Sequence, residues 1–224
     1  MAKIKWLGHA AFEITSEANK KIYIDPWIEG NPACPVTISD LPRPDLVLIT
    51  HDHFDHLGSA VALLEKGGKA AGQPELVAKL EGISPESLIR MNTGGTVTVD
   101  GIKIAMVHAF HSSATGGAVG FILTLENGQV IYHSGDTGIF SDMKLFADLY
   151  KINIALLPIG SVFTMDAYQA AMATKMISPE VVIPMHYSTF PALAQTPEDF
   201  ARQANEHAPQ TKVIILKPGE EYTF

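Results

Sequence analysis

The chain has 224 residues, 46% of them hydrophobic, and a formal net charge of −8. That length buries a substantial core as one domain spanning residues 1–224, and the acidic balance excludes sequence-independent nucleic-acid binding, which needs a basic face. It leaves anionic small molecules open, because bound divalent cations make a site locally positive whatever the global sign. No apolar run approaches the roughly 20 residues of a membrane span. The segment Met1–Trp6 interleaves charge with apolar residues and lacks a hydrophobic signal core, and the single cysteine, Cys34, permits no intramolecular disulfide. A cytoplasmic protein without a membrane partner is the expectation. Charged residues make up only 18%, which leaves surface for contacts between copies in a homo-oligomer.

In chain order, Ile4–Leu7, Ala11–Ile14 and Lys21–Ile24 read as short strands separated by Gly8-His9 and a polar turn at Asn19. Residues 30–44 hold Pro32, Pro35, Pro42 and Pro44 and read as an irregular loop. Leu46–Thr50 is a buried strand, Gly58–Lys66 a helix, Lys69–Ala71 a short strand, and Pro74–Leu80 a helix with proline in its first turn. Asp100-Gly101 predicts a hairpin between 96–99 and 102–109, and Asn127-Gly128 another between 119–125 and 129–132. Helices 141–149, 165–177 and 197–206 then alternate with strands at 154–157, 181–183 and 213–216, and 219–224 offers a last short strand. Two blocks emerge, strands with a helix pair and then strands alternating with helices. Each block supplies one sheet with helices outside, which makes the fold class α/β (α+β) with a four-layer αββα sandwich.

The stretch His51-Asp52-His53-Phe54-Asp55-His56 lies directly after the strand 46–50, at the end where α/β proteins build sites. Histidines packed this closely repel when protonated, and a cation makes the crowding favourable. The pattern recurs: one strand runs into His108 and His111, one into His133-Ser134-Gly135-Asp136, and one into His186. Convergence of the four ends supplies five imidazoles and two carboxylates. That suffices for two metals, each with three ligands and sharing one bridging carboxylate.

The HxHxDH set, the later histidines, Gly135-Asp136-Thr137-Gly138 and Ile183-Pro184-Met185-His186-Tyr187 resemble the metallo-β-lactamase superfamily. Gly8-His9-Ala10, Ile24-Asp25-Pro26, Met91–Gly95, His111-Ser112-Ser113 and Leu156–Gly160 are similar to a branch of generic metal-dependent hydrolases related to L-ascorbate-6-phosphate lactonase-like proteins. The resemblance implies a metallo-β-lactamase sandwich and a dinuclear site. In it, His51, His53 and His111 bind one metal, Asp55, His56 and His186 the other, and Asp136 bridges. It further implies a metal-bridging hydroxide that cleaves an ester, lactone or phosphodiester-type small molecule, with Asp55 and Asp136 as catalytic residues. Zinc suits the imidazole-rich set, with manganese, iron or nickel as alternatives. A cysteine common in true β-lactamases is replaced by Asp136, and the basic arm of tRNA-processing relatives is missing.

Other residues carry two readings each. His108 competes with His111 for the third-histidine role, and only His111 lies at the family position. His9 either hydrogen-bonds a ligating carboxylate or is a surface turn histidine; Asp25 is read as an anchor of the His-rich turn. His133 either meets substrate or supports the Gly135-Asp136 turn. Tyr187, Phe163 and Phe190 are candidates for the substrate pocket or the core, and Asp52 and Phe54 are read as spacers. His207 is read as a solvated histidine near a helix end, and Cys34 has no adjacent base to make a thiolate. Two rival functions remain on the same scaffold, a diiron-type oxidoreductase and a non-catalytic metal-binding scaffold.

Overall fold

The first three apolar segments pair as an antiparallel meander of β1 (Lys3–Gly8), β2 (Ala11–Thr15) and β3 (Lys21–Ile24). The computed structural model describes residues 1–224 and continues this sheet in parallel through β4 (Leu46–Leu48), β5 (Lys69–Gly72) and β6 (Leu88–Arg90). A second sheet starts with the antiparallel neighbours β7 (Thr96–Val99), β8 (Ile102–His108), β9 (Val119–Thr124) and β10 (Val130–His133). It ends in the parallel run β11 (Ile154–Pro158), β12 (Val181–Met185) and β13 (Lys212–Val213). The last strand, β14 (Glu221–Thr223), returns to the first sheet and pairs with β1, so each sheet has seven strands.

Strand alternation decides the layers. Phe12, Ile14, Ile22 and Ile24 of the first sheet share one core with Phe121, Leu123 and Ile131 of the second. The intervening residues Tyr23, Val47 and Ile49 belong to a separate core beneath two short helices, α2 (Ala60–Leu64) and α3 (Pro74–Val77), which follow the single turn α1 (Phe54–Leu57). On the far side, Tyr132 turns outward and meets Phe146 of α4 (Asp142–Tyr150) with ring centroids 6.0 Å apart. There α5 (Ala167–Ile177) packs on α4, α6 (Glu198–His207) and β11. A period of two along each strand therefore produces the αββα sandwich expected from the sequence. No helix is long and apolar enough to cross a membrane.

Both hairpins form where the turn dipeptides place them; Asp100 and Gly101 take φ of +50° and +90°, the left-handed pair that a type I′ turn requires. The block boundary differs. The change of pattern near residue 141 is no sheet boundary, because β10 pairs antiparallel with β9 on one side and parallel with β11 on the other. The sheets divide at the turn between β6 and β7.

The helix expected over 58–66 forms over Ala60–Leu64 and starts after Ser59, whose hydroxyl accepts the Ile28 and Glu29 amides while its own amide donates to the Pro26 carbonyl. Docking of Ser59 on residues 26–29 sets where the helix starts. The helix expected over 74–80 keeps one regular turn, the strand expected over 213–216 ends at Val213, and β6, two half-buried residues followed by an exposed arginine, carries no strand pattern in the sequence.

Phe121 is fully buried between the sheets. Phe121→Ala is expected to cost about 3–5 kcal/mol in urea unfolding, through lost transfer energy plus the cavity left behind. A loss under about 1 kcal/mol would contradict its place in the shared core.

Candidate metal centre

Every ligand-type side chain leaves the end of a strand. His9 sits in the β1–β2 turn, Asp25 follows β3, His51 to His56 follow β4, His111 follows β8, Asp136 follows β10 and His186 follows β12. The Val119 amide donates to the Thr50 carbonyl (3.1 Å) and the His186 amide to the His9 carbonyl (3.0 Å), so backbone bonds stitch the two sheets beside the cluster. His9, Asp25 and His186 adopt φ of +56°, +48° and +61°. Such backbone costs on the order of 1–3 kcal/mol per residue and concentrates where a site over-determines it. Two glycines are required by space. A Cβ on Gly135 would lie 2.4 Å from the Val119 carbonyl oxygen, and one on Gly160 would lie 2.7 Å from Nδ1 of His186.

The donor atoms gather in three overlapping groups, each with its atoms within 4.8 Å of one another: His51, His53 and His111; His9, Asp55, His56 and His186; and His51, His56 and Asp136. Asp136 is the hub. Its Oδ2 lies 2.9 Å from Nε2 of His186, 3.3 Å from Nε2 of His56 and 3.6 Å from Nε2 of His111. Burial alone would raise the Asp136 carboxyl, but His186 and His56 hold it well below the usual carboxylate range. Burial also works against a charged His56, yet Asp136 and Asp25 on either side hold its pKa well above that of an ordinary histidine. Burial and the neighbouring His56 push His51 down to about 3, and burial lowers His111 as well.

Asp25 sets the tautomers. It is fully buried and accepts the Thr50 amide at 2.8 Å, the Thr50 hydroxyl at 2.6 Å and Nδ1–H of His56 at 2.7 Å. Because the Thr50 proton goes to Asp25, the Thr50 oxygen is left to accept from Nδ1–H of His51, 3.0 Å away. Both imidazoles therefore present Nε2 to the centre of the cluster. Nε2 of His56 and Oδ1 of Asp136 are buried without a hydrogen-bond partner. With Nδ1–H committed to Asp25, a neutral His56 aims its Nε2 lone pair at a carboxylate oxygen, which is repulsive. Either a proton on Nε2, which the raised pKa supplies in the metal-free protein, or a cation between the two atoms relieves it, and the donor set of nitrogen and oxygen atoms fits divalent cations.

His9 does what one of its two readings requires. It is fully buried, its Nε2 lies 3.1 Å from Oδ2 of Asp55, and its Nδ1 lies 3.0 Å from the Thr189 hydroxyl. Burial, with help from His186 and His56, lowers its pKa to about 4, so it is neutral at pH 7. Burial raises the Asp55 carboxyl, but His9 and His56 outweigh this and bring it to about 2.

The remaining candidates are sorted by contact. His133 is fully buried and faces away from the cluster; its Nε2–H donates to the Ala10 carbonyl and its Nδ1 accepts the Gly135 amide, so it supports the turn that carries Asp136. Tyr187 does not line the cavity: it stacks on Trp6 with centroids 5.0 Å apart, because the left-handed His186 turns it back into the core. His108 sits among Phe110, Phe140 and Phe146, near Asp142, outside the cluster. His207 meets Tyr168 edge-on at the end of α6, and the Cys34 thiol, raised by burial, donates to the Val36 carbonyl. Neither Asp52 nor Phe54 offers a donor atom to the cluster, as a spacer should not, yet each has contacts of its own. Asp52 accepts the Ser113 hydroxyl and Ala114 amide, pinning the loop that carries His111, and Phe54 lines the cavity.

That cavity opens over the cluster with a volume of about 730 Å³. His53, Asp55, His111, Asp136 and His186 form its floor. Phe163 and Phe190 line it, as the sequence allowed.

Removing the Asp25 carboxylate would orphan three buried donors at once. Asp25→Ala is expected to lower the stability of the chelator-treated protein by about 2–4 kcal/mol in urea unfolding. An unchanged midpoint would refute the anchoring role.

The likeness to known proteins follows the same geometry. A family profile described as a beta-lactamase superfamily domain matches residues 3–186. A UPF0173 metal-dependent hydrolase of Methanopyrus kandleri is 45% identical over 98% of this chain and 99% of its own, and one of Caldivirga maquilingensis is 47% identical over 98% and 97%. The solved structure of Igni18, a metallo hydrolase from Ignicoccus hospitalis, superposes with a TM-score of 0.90 at 38% identity, covering 100% of this chain and 99% of that one. The chain belongs to the beta-lactamase superfamily and, within it, to the UPF0173 metal-dependent hydrolase family.

Proposed function

We propose that the protein is a dinuclear metal-dependent hydrolase of small-molecule ester, lactone or phosphodiester-type substrates. The observation that carries this reading is Asp136 Oδ2, placed among three imidazole nitrogens at 2.9, 3.3 and 3.6 Å with one of them lacking a hydrogen-bond partner. His51, His53 and His111 would hold one cation, Asp55, His56 and His186 the other, and Asp136 would be shared. His9 joins the second group through Nε2, as a ligand or through Asp55. Bound there, divalent cations supply Lewis acidity that polarises a carbonyl or phosphoryl oxygen and brings water toward a nucleophilic state near pH 7. The imidazole-rich donor set favours zinc.

The chain's own contribution is preorganisation. Asp25 and Thr50 fix two imidazoles with Nε2 inward, so no tautomeric rearrangement is needed when substrate arrives. His9 and Thr189 orient Asp55 from behind, and Asp52 holds the Ser112–Ala114 loop against the rim. The His133 contacts keep Asp136 on the cavity floor, within reach of both histidine groups. The relatives' own descriptions as metal-dependent hydrolases support the same reading.

After expression in metal-supplemented medium, elemental analysis is expected to find about two equivalents of divalent metal per chain. Asp136→Asn is expected to lose one of them and to lower kcat/KM by about 10²-fold or more in a screen of esters, lactones and phosphodiesters. His111→Ala should behave similarly, whereas His108→Ala should stay within about threefold of the parent protein. Protein free of metal under these conditions, or equal losses in His108→Ala and His111→Ala, would overturn the assignment.

A further inference from the structure

We propose that the cavity selects substrates with a neutral, apolar group next to the scissile bond, and that Phe54, Phe163 and Phe190 form the surface that binds it. The inference rests on the hydrolase reading above and adds a substrate class to it.

The cavity has two faces of opposite character. Its floor is the histidine and aspartate cluster, while Phe54, Phe163, Phe190, Pro191 and Ala192 line the rest, with Ser112 the one other polar side chain. No lysine or arginine lines it. A carboxylate at the scissile end could meet the cations. A phosphate or carboxylate several bonds away would be desolvated against phenylalanine with no countercharge. The cavity therefore penalises remote anions such as sugar phosphates, although cations on its floor would attract negative charge there.

The apolar surface is built, not incidental. Trp27 is only 4% exposed and stacks behind Phe190, with centroids 5.6 Å apart and planes at 19°. It meets Phe54 edge-on at 5.5 Å, and Phe54 lies 6.2 Å from Phe190. The indole thus braces two of the three phenylalanines, so little side-chain freedom is lost on binding. At the mouth, Phe54 and Phe163 stand 66% and 56% exposed, leaving apolar area for a substrate to cover. Phe54 lines the same cavity as His53 and Asp55, so an apolar group packed on it lies in the space above the cluster. A lone exposed phenylalanine is ordinary; three on separate segments around one cavity are a binding surface.

For an ester of this class, hydrolysis breaks the acyl C–O bond. The OH of water goes to the acyl carbon and its proton to the alcohol oxygen, with no change of oxidation state. Three esters with one leaving group test the proposal: p-nitrophenyl acetate, p-nitrophenyl hexanoate and the mono-p-nitrophenyl ester of adipic acid. The last two share a chain length and differ only in a terminal methyl or carboxylate. With the metal-loaded protein, kcat/KM for the hexanoate is expected to exceed that for each of the others by about tenfold or more. Phe54→Ala and Phe163→Ala should each shrink the hexanoate-to-acetate ratio by about threefold or more, and Phe163→Lys should shift preference toward the adipate monoester. These are ratios within one variant, so partial loss of folded protein does not affect them.

A second measurement is independent of catalysis. The neutral fluorophore N-phenyl-1-naphthylamine should bind the chain as purified, and binding should weaken by about threefold or more in Phe54→Ala. Hydrolysis without chain-length preference, or with preference for the adipate ester in the parent protein, overturns this proposal and leaves the hydrolase reading standing. Probe binding that depends on Phe54, with no hydrolysis anywhere in the screen of esters, lactones and phosphodiesters, overturns the hydrolase reading and keeps the apolar surface. Absence of both overturns both.

Discussion

A carboxylate buried at zero exposure, Asp25, governs the geometry of the cluster. Burial alone would drive its proton back on, yet His56 and its companions hold it below the usual range, and two donors from Thr50 complete its shell. Because the carboxylate accepts from Nδ1 of His56 directly and receives the Thr50 hydroxyl proton, two histidines on a crowded turn are locked in one tautomer. One imidazole-to-imidazole contact forms beside the anchor, with Nε2 of His51 2.9 Å from Nδ1 of His53. The strained φ of Asp25 is part of the same device, since left-handed backbone there swings the carboxylate back over the end of β4.

The sandwich serves this arrangement. Strand ends of both sheets meet along one edge, and bonds such as Val119 to Thr50 and His186 to His9 join the sheets where the ligand atoms converge. Rigidity matters because Asp136 must reach imidazoles that belong to both sheets. The His133 contacts to Ala10 and Gly135 show how a fully buried histidine outside the cluster performs a purely supporting task. Above the floor, the aromatic surface braced by Trp27 supplies a second kind of selectivity, by solvation rather than by charge.

Much of this was legible from residue order. Both hairpins formed at Asp100-Gly101 and Asn127-Gly128, since a tight turn is a local property. The ligand-bearing strand ends were legible because apolar runs stop abruptly at histidine or aspartate. The two blocks of strands and helices pointed to the αββα arrangement, and the resemblance to metal-dependent hydrolases implied the same fold. It was the sheet boundary that misled: the pattern changed near residue 141, whereas β10 belongs equally to the antiparallel and the parallel half of one sheet.

The sequence by itself determined which side chains are able to bind a cation and that they lie where strands end, because alternation, turn dipeptides and ligand chemistry are encoded within a few residues. Only the tertiary structure decided how those side chains face one another. Asp25 and His56 are 31 positions apart, and His9 and Thr189 are 180 apart, so their hydrogen bonds exist only after both sheets have packed. The same long-range packing turned Tyr187 onto Trp6, left His108 among phenylalanines and drew Phe54, one residue from a ligand, into the wall of the cavity. Direction is a property of the assembled core, and direction separates a ligand from its neighbour.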